Sequence, residues 1–354
     1  MSDLSALARP EIVAMRGYES AAYDPALIRL NANESPARLD GDDSRRGLNW
    51  YPVNRLAELE SHLGALFDQP AERLMLTRGT SEAIDLLIRA FCRPGEDSIV
   101  VCPPAFGMYG VYAKVQNTQV QAVPLTPAPT FDLDVDGIIG AVDRGAKIVF
   151  VTSPNNPTGN LMSPDAIDSV VAACRGRALL VVDAAYHEFA ATEEPQLRYA
   201  SESHVVVLRT LSKAYALAGT RCGALIGDPY IASLLRKIIA PYAFATPVVE
   251  TILAVLKGSS VAKQTERIAA TIVERERVRD ELSGLPAVRR VFPSDANFLL
   301  TEFADPSAAF DAARAAGFLL RDFSGGEYHP NCLRLTVGSI EQNDAVLEAL
   351  RTLP

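Results

Sequence analysis

Short, nearly all-apolar runs recur along much of this chain, each followed by a polar break and a helix-like stretch. That rhythm limits the fold more than any other feature. Residues 74–77, 98–102, 119–124, 147–152, 178–183, 204–209 and 223–226 read as strands. Most lack the polar alternation of a half-exposed strand, so they suit a parallel sheet with both faces covered. Between them lie stretches of helical spacing: Leu56, Leu59, Leu63 and Leu66 within 53–67, then 82–91, 106–114 and 165–174. Strands alternating with helices predict an α/β domain with a mainly parallel sheet. In such sheets ligands bind beyond the carboxyl ends of the strands.

Polar residues gather at those ends. Gly79, Thr80 and Ser81 follow the first strand, Asn155 lies in SPNNPTG after the fourth, and Asp183 closes the fifth. Thr210, Ser212 and Lys213 follow the sixth, with Arg221 before the seventh. A lysine is the side chain that condenses with aldehydes. Hydroxyls with an arginine, and the free N–H groups at a helix start capped by Thr80 or Ser81, are phosphate-holding groups. A carboxylate such as Asp183 is the partner that a protonated pyridine nitrogen needs. Taken singly, each has a plainer use, as a solvated loop lysine, a capped helix or a strand-end aspartate. Their convergence on one sheet edge favours a single site around Lys213 that binds pyridoxal 5'-phosphate.

At 354 residues the chain is long enough for two domains. Apolar residues are sparse in the first fifty positions, which form an arm interrupted by LNANESP (30–36). A composition break near Pro241 and Pro247 precedes a long charged helix (261–285). Strands at 297–301, 318–321 and 332–337 and helices at 307–316 and 343–352 complete a small α+β domain. The expected division is an arm over 1–45, a large domain over 46–246 and a small one over 247–354. The net charge of 34 − 43 = −9 and the lack of a basic block argue against nucleic acid and anionic membrane as partners. Five scattered cysteines read as reduced thiols of a cytoplasmic protein, and the four histidines lack metal-ligand spacing, so no metal is expected. No run is long enough to span a membrane, and MSDLSALARPEI carries no signal pattern. No strand enters a G-x-G-x-x-G turn, which disfavours a nicotinamide dehydrogenase.

The segments LNANESP, Tyr51-Pro52, RGTSEAIDLLIRAFC (78–92), CPPAFGMYG (102–110), SPNNPTG (153–159), VVDAAYHEF (181–189), LRTLSKAYALAGTRCG (208–223) and CLRLTVG (332–338) together resemble the fold-type I, class I/II aminotransferases, and among them the histidinol-phosphate aminotransferases. The resemblance implies a large domain with a mainly parallel seven-stranded sheet, a smaller α+β domain, and an arm that packs with the small domain and a partner subunit. It implies transamination of histidinol phosphate with 2-oxoglutarate by a ping-pong sequence in a homodimer with shared sites. Lys213 would condense with the cofactor aldehyde and act as acid and base, and Asp183 would meet the pyridine nitrogen. Asn155 and Tyr186 would bond the ring hydroxyl, and Tyr109 would stack on the ring. Gly79, Thr80, Ser81, Thr210, Ser212 and Arg221 would hold the phosphate. Arg334 would bind the donor's anionic group, with Tyr18, Asn33, Tyr51 and Arg321 lining the substrate pocket and Tyr51 crossing from the partner subunit. Independently, Arg334 sits in an apolar strand, where a guanidinium needs an anion. Arg321 has Asp322 beside it as a surface partner.

Three departures stand out: Ala184 where the family often has glutamate, Ser81 where many relatives are acidic, and the loop SGGEYH (324–329). The competing readings are an aromatic amino acid aminotransferase or a phosphothreonine-type decarboxylase on this scaffold, and a non-enzymatic sensor built on it.

Overall fold

The structure is a computed structural model that describes residues 3–24, 26–52 and 56–354. Residues 53–55, the expected start of the 53–67 helix, lie outside the described residues; the helix is seen from Ala57 to Leu66.

Seven strands form the main sheet: β1 (Leu74–Thr77), β2 (Ser98–Val101), β3 (Gln119–Ala122), β4 (Ile148–Thr152), β5 (Leu179–Asp183), β6 (Val205–Thr210) and β7 (Gly223–Ile226), in the order β1-β7-β6-β5-β4-β2-β3. β2 to β6 run parallel, whereas β7 is antiparallel to both neighbours. The chain between β6 and β7 holds only the short turn Ala218–Thr220 and no α-helix, and it returns antiparallel. β4, β5 and β6 are buried along their whole length. β3 is the mostly exposed edge.

A second, four-stranded antiparallel sheet holds β8 (Val288–Val291), β9 (Phe298–Phe303), β10 (Arg321–Asp322) and β11 (Cys332–Thr336), in the order β10-β11-β9-β8. The strand expected at 318–321 is reduced to β10. β8, reading VRRV, escaped sequence detection because its two central arginines are exposed on an edge.

Helix Gly258–Ser283 runs for 26 residues and joins the two layers. Its Ile268 and Ile272 pack on Tyr186 and Ala214 beside the main sheet, and its Val278 and Leu282 lie in the core of the small one. Gln264 Nε2 donates to the carbonyl of Ala214, 2.6 Å away.

Two packing facts differ from expectation. Leu4 and Leu7 of the arm are buried with the helix Thr80–Phe91, and Arg9 N–H donates to Ala90 O at 2.9 Å. The arm's start is therefore docked on the large layer and not on the small one, because its leucines complete the apolar face of that helix. Helix Thr246–Val255 begins where the small domain was expected, yet Val249, Ile252 and Leu253 bury in the core of the main sheet. Among the described residues no helix is long and apolar enough to cross a membrane.

One ionic cluster ties β6 to the segment after β5. Arg209 is 1% exposed; its Nη2 donates to Glu188 Oε1 at 2.9 Å and its Nη1 to Gln196 Oε1 at 2.8 Å, with Glu194 as a further ion-pair partner. Burial alone pushes the Glu188 carboxyl up, and Arg209 opposes that. Removing one partner of a buried pair leaves the other charge uncompensated. Arg209→Met should therefore cost about 3–5 kcal/mol of stability, read from the midpoint of urea unfolding.

Candidate active site

The carboxyl ends of β4, β5 and β6 and the turn after β1 surround one cavity of about 230 Å³. Its floor is ionic. Asp183, at the last position of β5, is 3% exposed and lines the cavity. Tyr109 Oη donates to Asp183 Oδ2 at 2.8 Å, and Ala185 N–H donates to Asp183 Oδ1 at 3.2 Å. Burial pushes this carboxyl up to about 6; the tyrosine and amide donors and the charge of Lys213 pull the other way. Lys213 is held below its usual value, first by burial and then by the cations Arg334 and Arg221. The free amine is thus present at lower pH than for an exposed lysine.

An anion cup lies at the other end. Gly79 starts the helix Thr80–Phe91 at a φ of 74°, in the left-handed region that favours glycine. A Cβ on Gly79 would lie 2.9 Å from Arg221 Nη2, so the missing side chain lets the guanidinium cross the helix start. Gly223 repeats the point, since its Cβ would come within 3.1 Å of the Gly79 backbone. The helix cap is Gly79, not Thr80 or Ser81 as expected; those two occupy the first turn, where backbone N–H groups have no helical partner. Thr210 Oγ1 donates to Ser212 Oγ at 3.0 Å, and Arg221 Nη1 donates to Ser212 Oγ at 3.4 Å. Hydroxyls, free amides, a helix start and a guanidinium converge there, which is the donor set of a phosphate site.

The third side faces the small sheet. Tyr186 Oη accepts a hydrogen bond from Asn156 Nδ2 at 3.3 Å, and Arg334 Nη1 donates to Asn156 Oδ1. Burial raises the Tyr186 hydroxyl to about 12 against the pull of Arg334. Arg334 CZ stands 4.9 Å from the ring centroid of Phe298, and its Nε is buried without a partner.

Gly79, Thr80, Ser81, Asp183, Tyr186, Thr210, Ser212, Lys213, Arg221 and Arg334 all line this cavity. Two residues expected at the cofactor, Asn155 and Tyr109, do not. Asn155 is 1% exposed and spends its Nδ2 on Pro104 O at 2.9 Å and Thr158 Oγ1 at 2.7 Å, so it braces the loop. Its neighbour Asn156 faces the cavity instead; two adjacent asparagines in SPNNPTG offer the sequence no means of choosing. Tyr109 is fully buried, its ring stacked on Phe150 at 4.8 Å. Phe106, three residues earlier on the same turn, presents its ring to the cavity. Tyr18, Asn33 and Tyr51 lie elsewhere on the arm: Tyr18 is 68% exposed beside a separate cavity, Tyr51 stacks on Tyr242 at 4.7 Å, and Asn33 is exposed near Tyr51. Arg321 is outside the cavity but directly opposite Arg334 in the β10–β11 ladder.

An amine whose proton affinity is lowered by burial and by two nearby arginines, a buried carboxylate short of a cationic N–H partner and a phosphate cup at the opposite end fit pyridoxal phosphate. The class I and II aminotransferase model matches residues 27–350, and the chain belongs to that family, whose members work with this cofactor. The histidinol-phosphate aminotransferase of Stenotrophomonas maltophilia (strain R551-3) is 43% identical to it, over 99% of this chain and 97% of that protein. The crystal structure of the histidinol-phosphate aminotransferase from Clostridium acetobutylicum superimposes with a TM-score of 0.77 at 21% identity, over 86% of this chain and 91% of that one. The enzyme of that name from Sinorhizobium meliloti, solved with pyridoxal-5'-phosphate, gives 0.74 at 20% identity, over 86% and 83%. At such identities the two structures speak for the fold alone.

The two asparagines separate by experiment. Asn156→Ala should lower kcat/KM about tenfold or more, the worth of a hydrogen bond to a charged group, with little change in Tm. Asn155→Ala should lower Tm. Asp183 gives a pH signature. Its folded value, about 6, lies above its ordinary 3.8, so the folded state holds the proton more tightly between those values and loses stability as pH rises through them. Cofactor-free Asp183→Asn should therefore melt higher than the cofactor-free native protein above pH about 6, and the difference should vanish below pH about 4.

Proposed function

We propose that this protein transfers the amino group of L-histidinol phosphate to 2-oxoglutarate, giving imidazole acetol phosphate and L-glutamate, with pyridoxal 5'-phosphate bound at Lys213. The observation that carries this reading is the pair Arg321 and Arg334. They are cross-strand neighbours, and among the described residues neither forms an ion pair with a carboxylate. Asp322, the expected surface partner of Arg321, accepts the Ser324 N–H at 2.7 Å instead. Two adjacent guanidiniums without a carboxylate partner, Arg334 lining the cavity and Arg321 across the ladder from it, suit a phosphomonoester in one half-reaction and a carboxylate in the other, since both anions accept forked hydrogen bonds. Full-length similarity to a protein named for histidinol phosphate supports the same substrate.

Pyridoxal phosphate, when bound, supplies the aldehyde that receives the amino group and a ring that spreads the charge left at the substrate Cα. The chain does the rest. Thr210, Ser212, Arg221 and the amides of Thr80 and Ser81 would hold its phosphate. Asp183, its charge favoured by Tyr109 and the Ala185 amide, would pair with the ring nitrogen and keep it protonated. Tyr186 and Asn156 would donate to the ring hydroxyl, and Phe106 would cover the ring. Lys213 Nζ would take the proton from the substrate Cα and return it on the other side of the transferred nitrogen. Its proton affinity, lowered by burial and by Arg334 and Arg221, favours that double duty. One site used by two substrates in turn gives ping-pong kinetics.

The homodimer belongs to the same reading. Tyr18, Tyr51 and Asn33 stand away from their own chain's cavity, and Ile28, Leu30, Leu39 and Trp50 leave apolar surface exposed along the arm. Tyr51 of one protomer would reach the site of its partner. Five buried, unpaired cysteines accord with a cytoplasmic enzyme.

Steady-state comparison of histidinol phosphate with phenylalanine and tyrosine, each against 2-oxoglutarate, tests the substrate. The phosphorylated donor should have the higher kcat/KM, and an aromatic amino acid ahead of it would defeat the reading. Lys213→Ala should lower kcat by roughly a hundred- to ten-thousand-fold, the range for a lost general base, while the folded protein persists by circular dichroism.

A further inference from the structure

The loop SGGEYH (324–329), which departs from the family pattern, contributes no residue to the cavity described above. Its backbone is well tied. Phe323 N–H donates to Cys332 O at 3.0 Å, extending the β10–β11 ladder by one residue. Gly326 N–H returns to Phe323 O at 2.8 Å and Asn331 N–H to Ser324 O at 3.1 Å, closing the loop on itself. This brings His329, 8% exposed, edge-on to the Phe323 ring at 5.2 Å with an interplanar angle of 71°. Gly326 leaves room for that imidazole, since a Cβ there would meet it at 2.4 Å.

The ring so held lies under both guanidiniums. Arg334 CZ is 5.5 Å and Arg321 CZ 5.7 Å from the Phe323 centroid. Directly opposed like charges on neighbouring strands repel. Attraction of each cation to the aromatic face offsets that repulsion without neutralising either charge, as a carboxylate would. Phe323 thus does what an acidic residue could not: it keeps two positive groups adjacent and leaves both free for an incoming anion.

We propose that Phe323, braced by His329, is a specificity-determining residue that fixes the spacing of Arg321 and Arg334 for a doubly charged phosphoryl group. The proposal rests on the substrate reading above for the identity of the amino donor, but not for the existence of the anion subsite. Phe323 touches the arginines and not the reacting atoms, so it is a positioning residue.

The test uses the holoenzyme, whose own phosphate cup is filled by cofactor, and the variants Phe323→Leu and Phe323→Tyr. Two quantities are read: the kinetic constants for histidinol phosphate and the Kd of inorganic phosphate by calorimetry. Loss of a partly desolvated cation–π pair predicts that Phe323→Leu raises KM and the phosphate Kd by roughly five- to tenfold. Its kcat should stay within about twofold, and Phe323→Tyr should restore both quantities, since it keeps the π face. A purely structural role would lower Tm and active fraction without moving either ratio. Unchanged KM and Kd in Phe323→Leu, or a fall in kcat at constant KM, would overturn the proposal. If Phe323→Leu does not fold, Phe323→Met fills the same space without a ring and is read by the same criteria. Should the native enzyme fail to turn over histidinol phosphate, the phosphate Kd alone decides, and the substrate reading falls separately.

Discussion

The site depends on a carboxylate kept out of water. Asp183 ends a strand with apolar neighbours on both faces, and an ionised carboxyl in such a place is costly unless donors surround it. Tyr109 and the Ala185 amide give it two, and the lysine beyond gives a nearby positive charge. What they leave is a carboxylate still short of a cationic partner. On the proposed reading a protonated ring nitrogen would complete the set. Tyr109 contacts the aspartate and does not line the cavity.

Charge is distributed along the cavity with a consistent logic. Negative charge is confined to one buried position, whereas Lys213, Arg221 and Arg334 stand around it. The two arginines that affect Lys213 most line the same cavity, and their charges lower the lysine's proton affinity. An anion bound beside either would partly cancel that influence. Elsewhere the chain neutralises its buried cations: Arg209 has Glu188 and Glu194, and Arg275 donates to two carbonyls and pairs with Glu276. Arg334 differs in having no carboxylate partner among the described residues; its Nη1 donates to the amide oxygen of Asn156.

Much of this was legible in the chain itself. The central strands were read to within a residue or two because unbroken Val/Leu/Ile runs admit few alternatives to a doubly covered sheet. Residues at strand ends, Asp183, Lys213 and Thr210, followed from topology, since strand ends converge. Errors fell where position along the chain does not fix direction. Asn155 and Asn156 are adjacent, and only the loop's path says which one turns inward. Tyr109, not Phe106, was the residue expected at the ring face; the structure lines the cavity with Phe106, three residues earlier, and buries Tyr109 against Asp183. β8 was missed because its arginines point to solvent, and the arm's docking because Leu4 and Leu7 are isolated apolar residues in a polar stretch.

The helix Gly258–Ser283 is about 39 Å long at 1.5 Å per residue. One part of it is seated in the small sheet's core, while Gln264, near its start, grips the carbonyl next to the lysine. It is a lever with its load beside Lys213. A tilt of one degree about its far end would shift the near end by roughly 0.7 Å, a large fraction of the tolerance within which a proton can be passed between fixed atoms. Alignment at Lys213 is thus set partly by how firmly a distant β-layer is clamped, and substitutions far from any ligand can detune it.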